Sequence, residues 1–104
     1  MDELKEEIIE FQKERDWKKF HTPENLAKSI SIEAAELLEH FQWGKEYDKR
    51  EVAEELADVL IYCLYMADAL DFDIKEIIRN KMEKNAIKYP VDKSKGNAKK
   101  YTEF

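Results

Sequence analysis

Apolar residues recur at the spacing of an amphipathic helix along most of the chain, and this pattern predicts four helices. The first is predicted from about Asp2 to Asp16. Thr22 is a suitable N-cap for the second helix, and Pro23 suits its first position. Trp43-Gly44 is predicted to end that second helix, so the first half of the chain folds as two helices joined by an aromatic-rich connection.

Capping patterns predict the third and fourth helices. Asp48 and Asp73 each precede a glutamate by three residues, as in a capping box. The fourth helix is expected to stop before Pro90, because the residue preceding a proline disfavours helical geometry. Residues 91–104 are predicted to form a polar, basic tail. Together these elements predict one all-α domain over residues 1–104.

The third helix is unusual because residues 56–70 are apolar nearly all round. A helix without a solvent face is either central in its domain or covered by another subunit. A chain of 104 residues has little material with which to cover it. We therefore expect a homodimer or a dimer of dimers.

Charge and cysteine content narrow the class of protein. The formal net charge of −6 argues against a protein that binds a nucleic-acid polymer, which needs a basic face. It leaves a phosphate ligand possible, since carboxylates can hold Mg²⁺ and the ion then carries the positive charge. The single Cys63 fits a reducing cytoplasm. The longest apolar run, 56–67, contains Asp58 and is too short for a bilayer of ~30 Å, so no membrane partner is expected.

Four carboxylates stand where helices should be apolar. Glu33 lies at the edge of the apolar arc of the second helix, with Glu36 one step further round. Glu55 and Asp58 repeat the same three-residue offset on the third helix, and Asp58 is expected in apolar surroundings. Buried carboxylates shift their pKa, pair or coordinate a metal, and a set of hard oxygen ligands suits Mg²⁺. Solvated faces, or an ion pair with a distant lysine, are the alternative explanations.

Two further sets of side chains suit a nucleotide. On the fourth helix, Lys81, Asn85 and Lys88 form a row that suits phosphate oxygens, although lysines often border helices. Flat rings occur near the helix ends, and nucleobases stack on such rings. These candidates for a base pocket are Trp17, Phe20, His21, Trp43 and Tyr62. Phe11 and Phe41 are expected to pack in the core instead.

These residues together resemble the all-α nucleotide pyrophosphohydrolases of the MazG-like superfamily, and most closely the dCTP pyrophosphatase branch. The acidic motif reads Glu33-Ala-Ala-Glu36, eighteen intervening residues, then Glu55-Leu-Ala-Asp58. The similarity extends over roughly residues 11–104. Other matching segments are Arg15-Asp16-Trp17, Phe20 to Asn25, Phe41-Gln42-Trp43, Asn85, Lys88-Tyr89-Pro90 and Lys100 to Glu103.

The resemblance implies a four-helix MazG-like bundle completed by oligomerisation, with a polar C-terminal tail. It implies a Mg²⁺-dependent enzyme that hydrolyses a nucleoside triphosphate, dCTP or a modified dCTP, to the monophosphate and pyrophosphate by attack at the α-phosphorus. Glu33, Glu36, Glu55 and Asp58 would be the catalytic metal ligands. The residues implied to bind substrate are Trp17, His21, Trp43 and Tyr62 at the base and sugar, and Asn85, Lys88, Lys100 and Tyr101 at the phosphates.

Other functions are compatible with parts of the sequence. A non-enzymatic helical assembly module would use the aromatic rings in an interface and leave the acids solvated. A pyrophosphohydrolase for another nucleotide, or for phosphoribosyl-ATP, would keep the acidic motif. A ferritin-like di-iron protein is disfavoured, because those sites need Glu-x-x-His and neither His21 nor His40 follows a glutamate at that spacing.

Overall fold

A computed structural model of the chain describes residues 2–44 and 46–104, and every regular element in those ranges is helical. The predicted all-α class is thereby confirmed. The elements are α1 (Asp2–Glu14), α2 (Pro23–Glu39), α3 (Lys49–Ala69), α4 (Ile74–Lys88), α5 (Val91–Ser94) and a 3₁₀ turn (Tyr101–Glu103). None of these helices combines the length and the apolar character that a membrane crossing requires.

The chain divides into two compact units, Met1–Phe72 and Asp73–Phe104. In the first unit α2 packs along α3, and α1 packs against α3 over fewer residues. Its apolar core is small and consists, within the described residues, of Leu26, Leu64, Tyr65 and Ala67. The second unit contains α4, α5 and the 3₁₀ turn. That the two units form one domain stays a prediction.

Side-chain caps begin the three long helices that the capping patterns predicted. Thr22 Oγ1 accepts from the Asn25 backbone N–H at 3.2 Å, which starts α2. Asp73 caps α4 by accepting from the Glu76 N–H at 3.1 Å. Asp48 caps α3, but it accepts from the N–H of Arg50 and not, as a capping box would, from that of Glu51.

Two helices end in a left-handed residue. α1 was predicted to reach Asp16, but it ends at Glu14 because Asp16 adopts φ 53°. The backbone N–H of Trp17 then bonds to Gln12 O at 3.1 Å, which closes a Schellman turn. Asp71, with φ 56°, ends α3 in the same way. The first turn brings Trp17 against α1, where its ring meets that of Phe11 edge to face at 5.7 Å.

The end of the second helix also differs from its prediction. α2 ends at Glu39, before the predicted Trp43-Gly44, because the backbone N–H groups of residues 40–42 bond three residues back and tighten the chain into turns. Residues 91–104, predicted as a polar tail, contain α5, which follows Pro90, and the 3₁₀ turn, which follows Lys100. The helix stop before Pro90 is confirmed, because α4 ends at Lys88.

The apolar character of α3 is only partly buried within one chain. Leu64, Tyr65 and Ala67 lie in the core, but Leu56 and Leu60 are 46% and 54% exposed. On α2, Leu38 is 67% exposed. The single chain therefore leaves large aliphatic side chains uncovered on both of the helices that carry the acidic motif.

Candidate active site

The packing of α2 along α3 brings the acidic motif together. Each helix presents an i,i+3 pair of acids on one face, so two such faces in contact place the carboxylates side by side. One carboxylate oxygen from each of Glu33, Glu55 and Asp58 lies within 4.8 Å of the others. Glu36 is close enough to Glu33 and Glu55 that a hydrogen bond and its charge affect the pKa of both. We call these four residues the carboxylate cluster.

The carboxylate cluster is electrostatically unfavourable without a cation. Burial, followed by the hydrogen bond and charge of Glu36, raises the pKa of Glu33 from 4.5 to about 7. Burial and Glu36 also raise the pKa of Glu55, and His40 partly opposes this effect. Glu33 Oε2 and Glu55 Oε2 are buried without a hydrogen-bond partner among the described residues. Buried carboxylate oxygens without hydrogen bonds are suitable ligands for a hard divalent cation, and the cluster supplies several of them.

Asp58 differs from its prediction in one respect. It joins Glu33 and Glu55, but it is exposed in the single chain rather than embedded in apolar surroundings. Apolar neighbours in sequence do not bury a side chain unless another element covers that side of the helix. Around Asp58 the flanking Leu56 and Leu60 are themselves about half exposed.

An aromatic cavity of about 450 Å³ lies between α1 and α3, next to the carboxylate cluster. Asp58 lines both the cavity and the cluster. The cluster's charges also contribute, after burial, to a raised pKa of the Tyr62 hydroxyl. The volume lies within the range of small-molecule sites. The aromatic cavity is lined by Leu4, Glu7, Ile8, Phe11, Trp17, Asp58, Ile61, Tyr62 and Tyr65.

Of the four residues predicted at the base, Trp17 and Tyr62 line the aromatic cavity. His21 packs behind its wall, with its ring 4.9 Å from that of Tyr65 and 6.1 Å from that of Tyr62. Burial lowers the pKa of His21 and so favours the neutral ring. The structure therefore brings three of the four residues into one aromatic group.

Trp43 lies elsewhere. It is 89% exposed and lines a second, polar cavity of about 530 Å³ together with Glu36 and Glu55 of the carboxylate cluster. His40 lies in the same polar cavity, its Nε2 3.7 Å from Glu55 Oε1 and its Nδ1 3.8 Å from Glu51 Oε2. The carboxylate cluster is thus flanked by an aromatic cavity on one side and a polar cavity on another.

The predicted phosphate-binding residues all belong to the second unit. Lys88 Nζ lies 4.9 Å from the centre of the Tyr101 ring, and Tyr89 meets that ring edge to face at 6.0 Å. The structure therefore brings Lys88 and Tyr101 together at the end of α4. Asn85 and Lys100 are exposed. Phosphate contact by these four residues stays a prediction.

Several residues of the site were not predicted. Phe11 was expected in the core, but it is 45% exposed and lines the aromatic cavity, because α1 covers α3 only in part. Tyr65 follows Tyr62 by three residues on α3, a spacing that places two rings on one helical face. Gln12 follows Ile8 by four residues and therefore lies on the apolar face of α1. A polar side chain on that face was the sequence signal that could have identified it.

Comparison with known proteins agrees with this geometry. The model of the MazG-like family matches residues 28–104, which include the whole acidic motif. dCTP pyrophosphatase 1 from Mus musculus is 35% identical over the full chain, which spans 67% of that protein. The Bos taurus protein of the same name is 37% identical over the full chain and 68% of its own length.

A solved structure is similar as well. A pyrophosphatase from Archaeoglobus fulgidus is 50% identical, with a TM-score of 0.80, and the alignment covers 86% of this chain and 92% of that one. Both the sequence and the backbone therefore match proteins named for pyrophosphatase activity.

Proposed function

Since the chain belongs to the MazG-like family, we propose that it hydrolyses a nucleoside triphosphate to the monophosphate and pyrophosphate in a Mg²⁺-dependent reaction. The protein is an enzyme of the nucleotide pyrophosphatase class. The observation that carries the proposal is the convergence of Glu33, Glu55 and Asp58 beside an aromatic cavity large enough for a small molecule.

Glu33, Glu36, Glu55 and Asp58 would hold the metal. A hard oxygen donor set, two buried oxygens without partners and a carboxyl pKa near 7 all favour a divalent cation at this position. When bound, Mg²⁺ supplies positive charge to the phosphate oxygens and lowers the pKa of water for attack at the α-phosphorus. Asp58 would hold the metal, and with it the phosphates, at the edge of the aromatic cavity, because it lines both the cavity and the carboxylate cluster.

The proton of the attacking water needs an acceptor. Glu36 and Glu39 both line the polar cavity next to the metal ligand Glu55. We propose Glu36 as the acceptor, because it already contacts Glu33 and Glu55 and is therefore close to the site of attack. Glu39 is the alternative base.

The base would stack in the aromatic cavity. Trp17 and Tyr62 offer ring faces to a nucleobase, while Ile8 and Ile61 provide apolar contact around it. We propose dCTP or a modified dCTP as the substrate, by analogy with the relatives named dCTP pyrophosphatase 1. His21 would support this pocket from behind.

The exposed leucines and the single cysteine bear on the assembly of the chain and on its location in the cell. We propose that the chain forms a homodimer or tetramer that covers the exposed leucines of α2 and α3. Trp43 would then be covered by, or reach into, a neighbouring subunit. Cys63 is unpaired, which fits a reducing cytoplasm as the site of action.

The test is a panel of the common dNTPs and NTPs, each incubated with Mg²⁺ or with EDTA. We expect monophosphate and pyrophosphate only with Mg²⁺, and fastest from dCTP. Faster cleavage of another base would retain the reaction and overturn the base preference. Absence of turnover for every triphosphate would contradict the proposal and favour the non-enzymatic assembly module.

A further inference from the structure

Gln12 is a buried polar residue with an unusual set of contacts. Its side chain is on α1 and is 2% exposed. Among the residues that the structure describes, it is the one polar residue that is buried. Gln12 Nε2 lies 2.6 Å from His21 Nδ1, whereas Gln12 Oε1 is buried and has no hydrogen-bond partner among the residues that the structure describes. Burying an amide oxygen that makes no hydrogen bond costs stability, so packing alone does not account for this residue.

The hydrogen bond fixes the state of the histidine. An amide nitrogen can only donate, so Nδ1 of His21 must accept and carries no proton. In a neutral imidazole the proton then resides on Nε2. A ring held in one tautomer by a buried donor is also held in one orientation, since rotating it would break the bond.

The orientation of His21 matters because three aromatic residues pack on it. The ring lies 6.2 Å from Trp17, 6.1 Å from Tyr62 and 4.9 Å from Tyr65, centre to centre. All three of those residues line the aromatic cavity. A rotation of the imidazole would therefore shift three walls of the cavity at once.

We propose that Gln12 is a positioning residue for substrate binding: it holds His21 through Nδ1, and His21 in turn holds the aromatic walls of the cavity. This inference rests on the proposed function for its kinetic consequence, but not for the state of the histidine. It predicts that Gln12 affects substrate affinity more than the carboxylate cluster, because its side chain bonds to His21 and the acids lie on α2 and α3.

Two substitutions at this position separate positioning from packing. Gln12→Leu replaces the amide with an apolar side chain of comparable size; it removes the unpartnered oxygen but also the donor to His21 Nδ1, so a Tm close to that of the wild type is expected. Gln12→Glu keeps a hydrogen-bonding group, but a carboxylate accepts from Nδ1–H and reverses the tautomer. We expect either change to raise KM about tenfold, equivalent to about 1.4 kcal/mol, with kcat within about twofold.

The tautomer is read directly by ¹⁵N NMR of the two histidines, with His21 assigned by means of the His40→Gln variant. The wild type should show an unprotonated Nδ1, Gln12→Leu a mixture of tautomers, and Gln12→Glu a protonated Nδ1. A protonated Nδ1 in the wild type, or wild-type KM in Gln12→Leu, would overturn the proposal. If Gln12→Leu does not fold, the wild-type and Gln12→Glu spectra still show whether residue 12 sets the tautomer of His21. If the wild type cleaves no triphosphate, the proposed function fails while the spectra still test the role of Gln12.

Discussion

Replacing Glu33 with glutamine should stabilise the metal-free protein at high pH and weaken its stabilisation by Mg²⁺. The folded state raises the pKa of Glu33 from 4.5 to about 7, chiefly through burial and then through Glu36. Between these pH values the folded chain binds more protons than the unfolded chain. Stability from this group is therefore fully present below about pH 4.5 and is lost as the pH rises through about 7.

The size of the effect follows from the two pKa values. At about 1.4 kcal/mol per pH unit, a fully buried carboxyl with this pKa would lose roughly 3 kcal/mol by pH 8. Glu33 is only partly buried, and solvent screening reduces the loss to on the order of 1 kcal/mol. That corresponds to a difference in Tm of about 4–8 °C for a domain of this size.

Thermal unfolding in EDTA at several pH values between 4.5 and 8 provides the assay, repeated with excess Mg²⁺. The Tm of the wild type should fall as the pH rises and recover with Mg²⁺, whereas both changes should be smaller in Glu33→Gln, in which only the Glu55 carboxyl keeps a raised pKa. Glu54→Gln is the matched control, because Glu54 is exposed on α3 next to Glu55 and should behave as the wild type. Parallel pH profiles for the wild type and Glu33→Gln would refute the reasoning.

Three further predictions concern the site and its assembly. Asp58→Asn should reduce Mg²⁺-dependent turnover about 100-fold or more, with the Tm nearly unchanged because Asp58 is exposed; normal turnover would remove Asp58 from the ligand set. Trp17→Ala should raise KM for the triphosphate about tenfold, since stacking on one ring contributes about 1–3 kcal/mol; unchanged KM would place the base outside the aromatic cavity. Sedimentation of the wild type should give a dimer or tetramer, and Leu60→Glu should dissociate it because Leu60 is 54% exposed in the single chain; a folded wild-type monomer at low concentration would contradict this.

Local sequence signals predicted the helices well. Thr22, Asp48 and Asp73 each cap the helix that follows them, because a cap depends only on groups two or three residues away. Helix ends were less predictable. The end of α1 depends on the left-handed Asp16, and a non-glycine residue gives little warning of that conformation.

The convergence of the acidic motif was predictable, because its spacing places two carboxylates on one face of each helix. Helical spacing alone does not show which faces become covered, and for that reason Asp58 proved exposed and Phe11 lined a cavity. The bond between Gln12 and His21 joins residues on either side of the turn after α1, so it depends on a chain reversal that the helical pattern does not encode.

The most direct test of the proposed function is hydrolysis of dCTP in H₂¹⁸O with Mg²⁺, followed by mass spectrometry of both products. Attack at the α-phosphorus predicts one ¹⁸O atom in the monophosphate and none in the pyrophosphate, with about 100-fold less product from Asp58→Asn under the same conditions. Label in the pyrophosphate, release of single phosphates, or equal turnover by Asp58→Asn would contradict the proposed reaction at the carboxylate cluster.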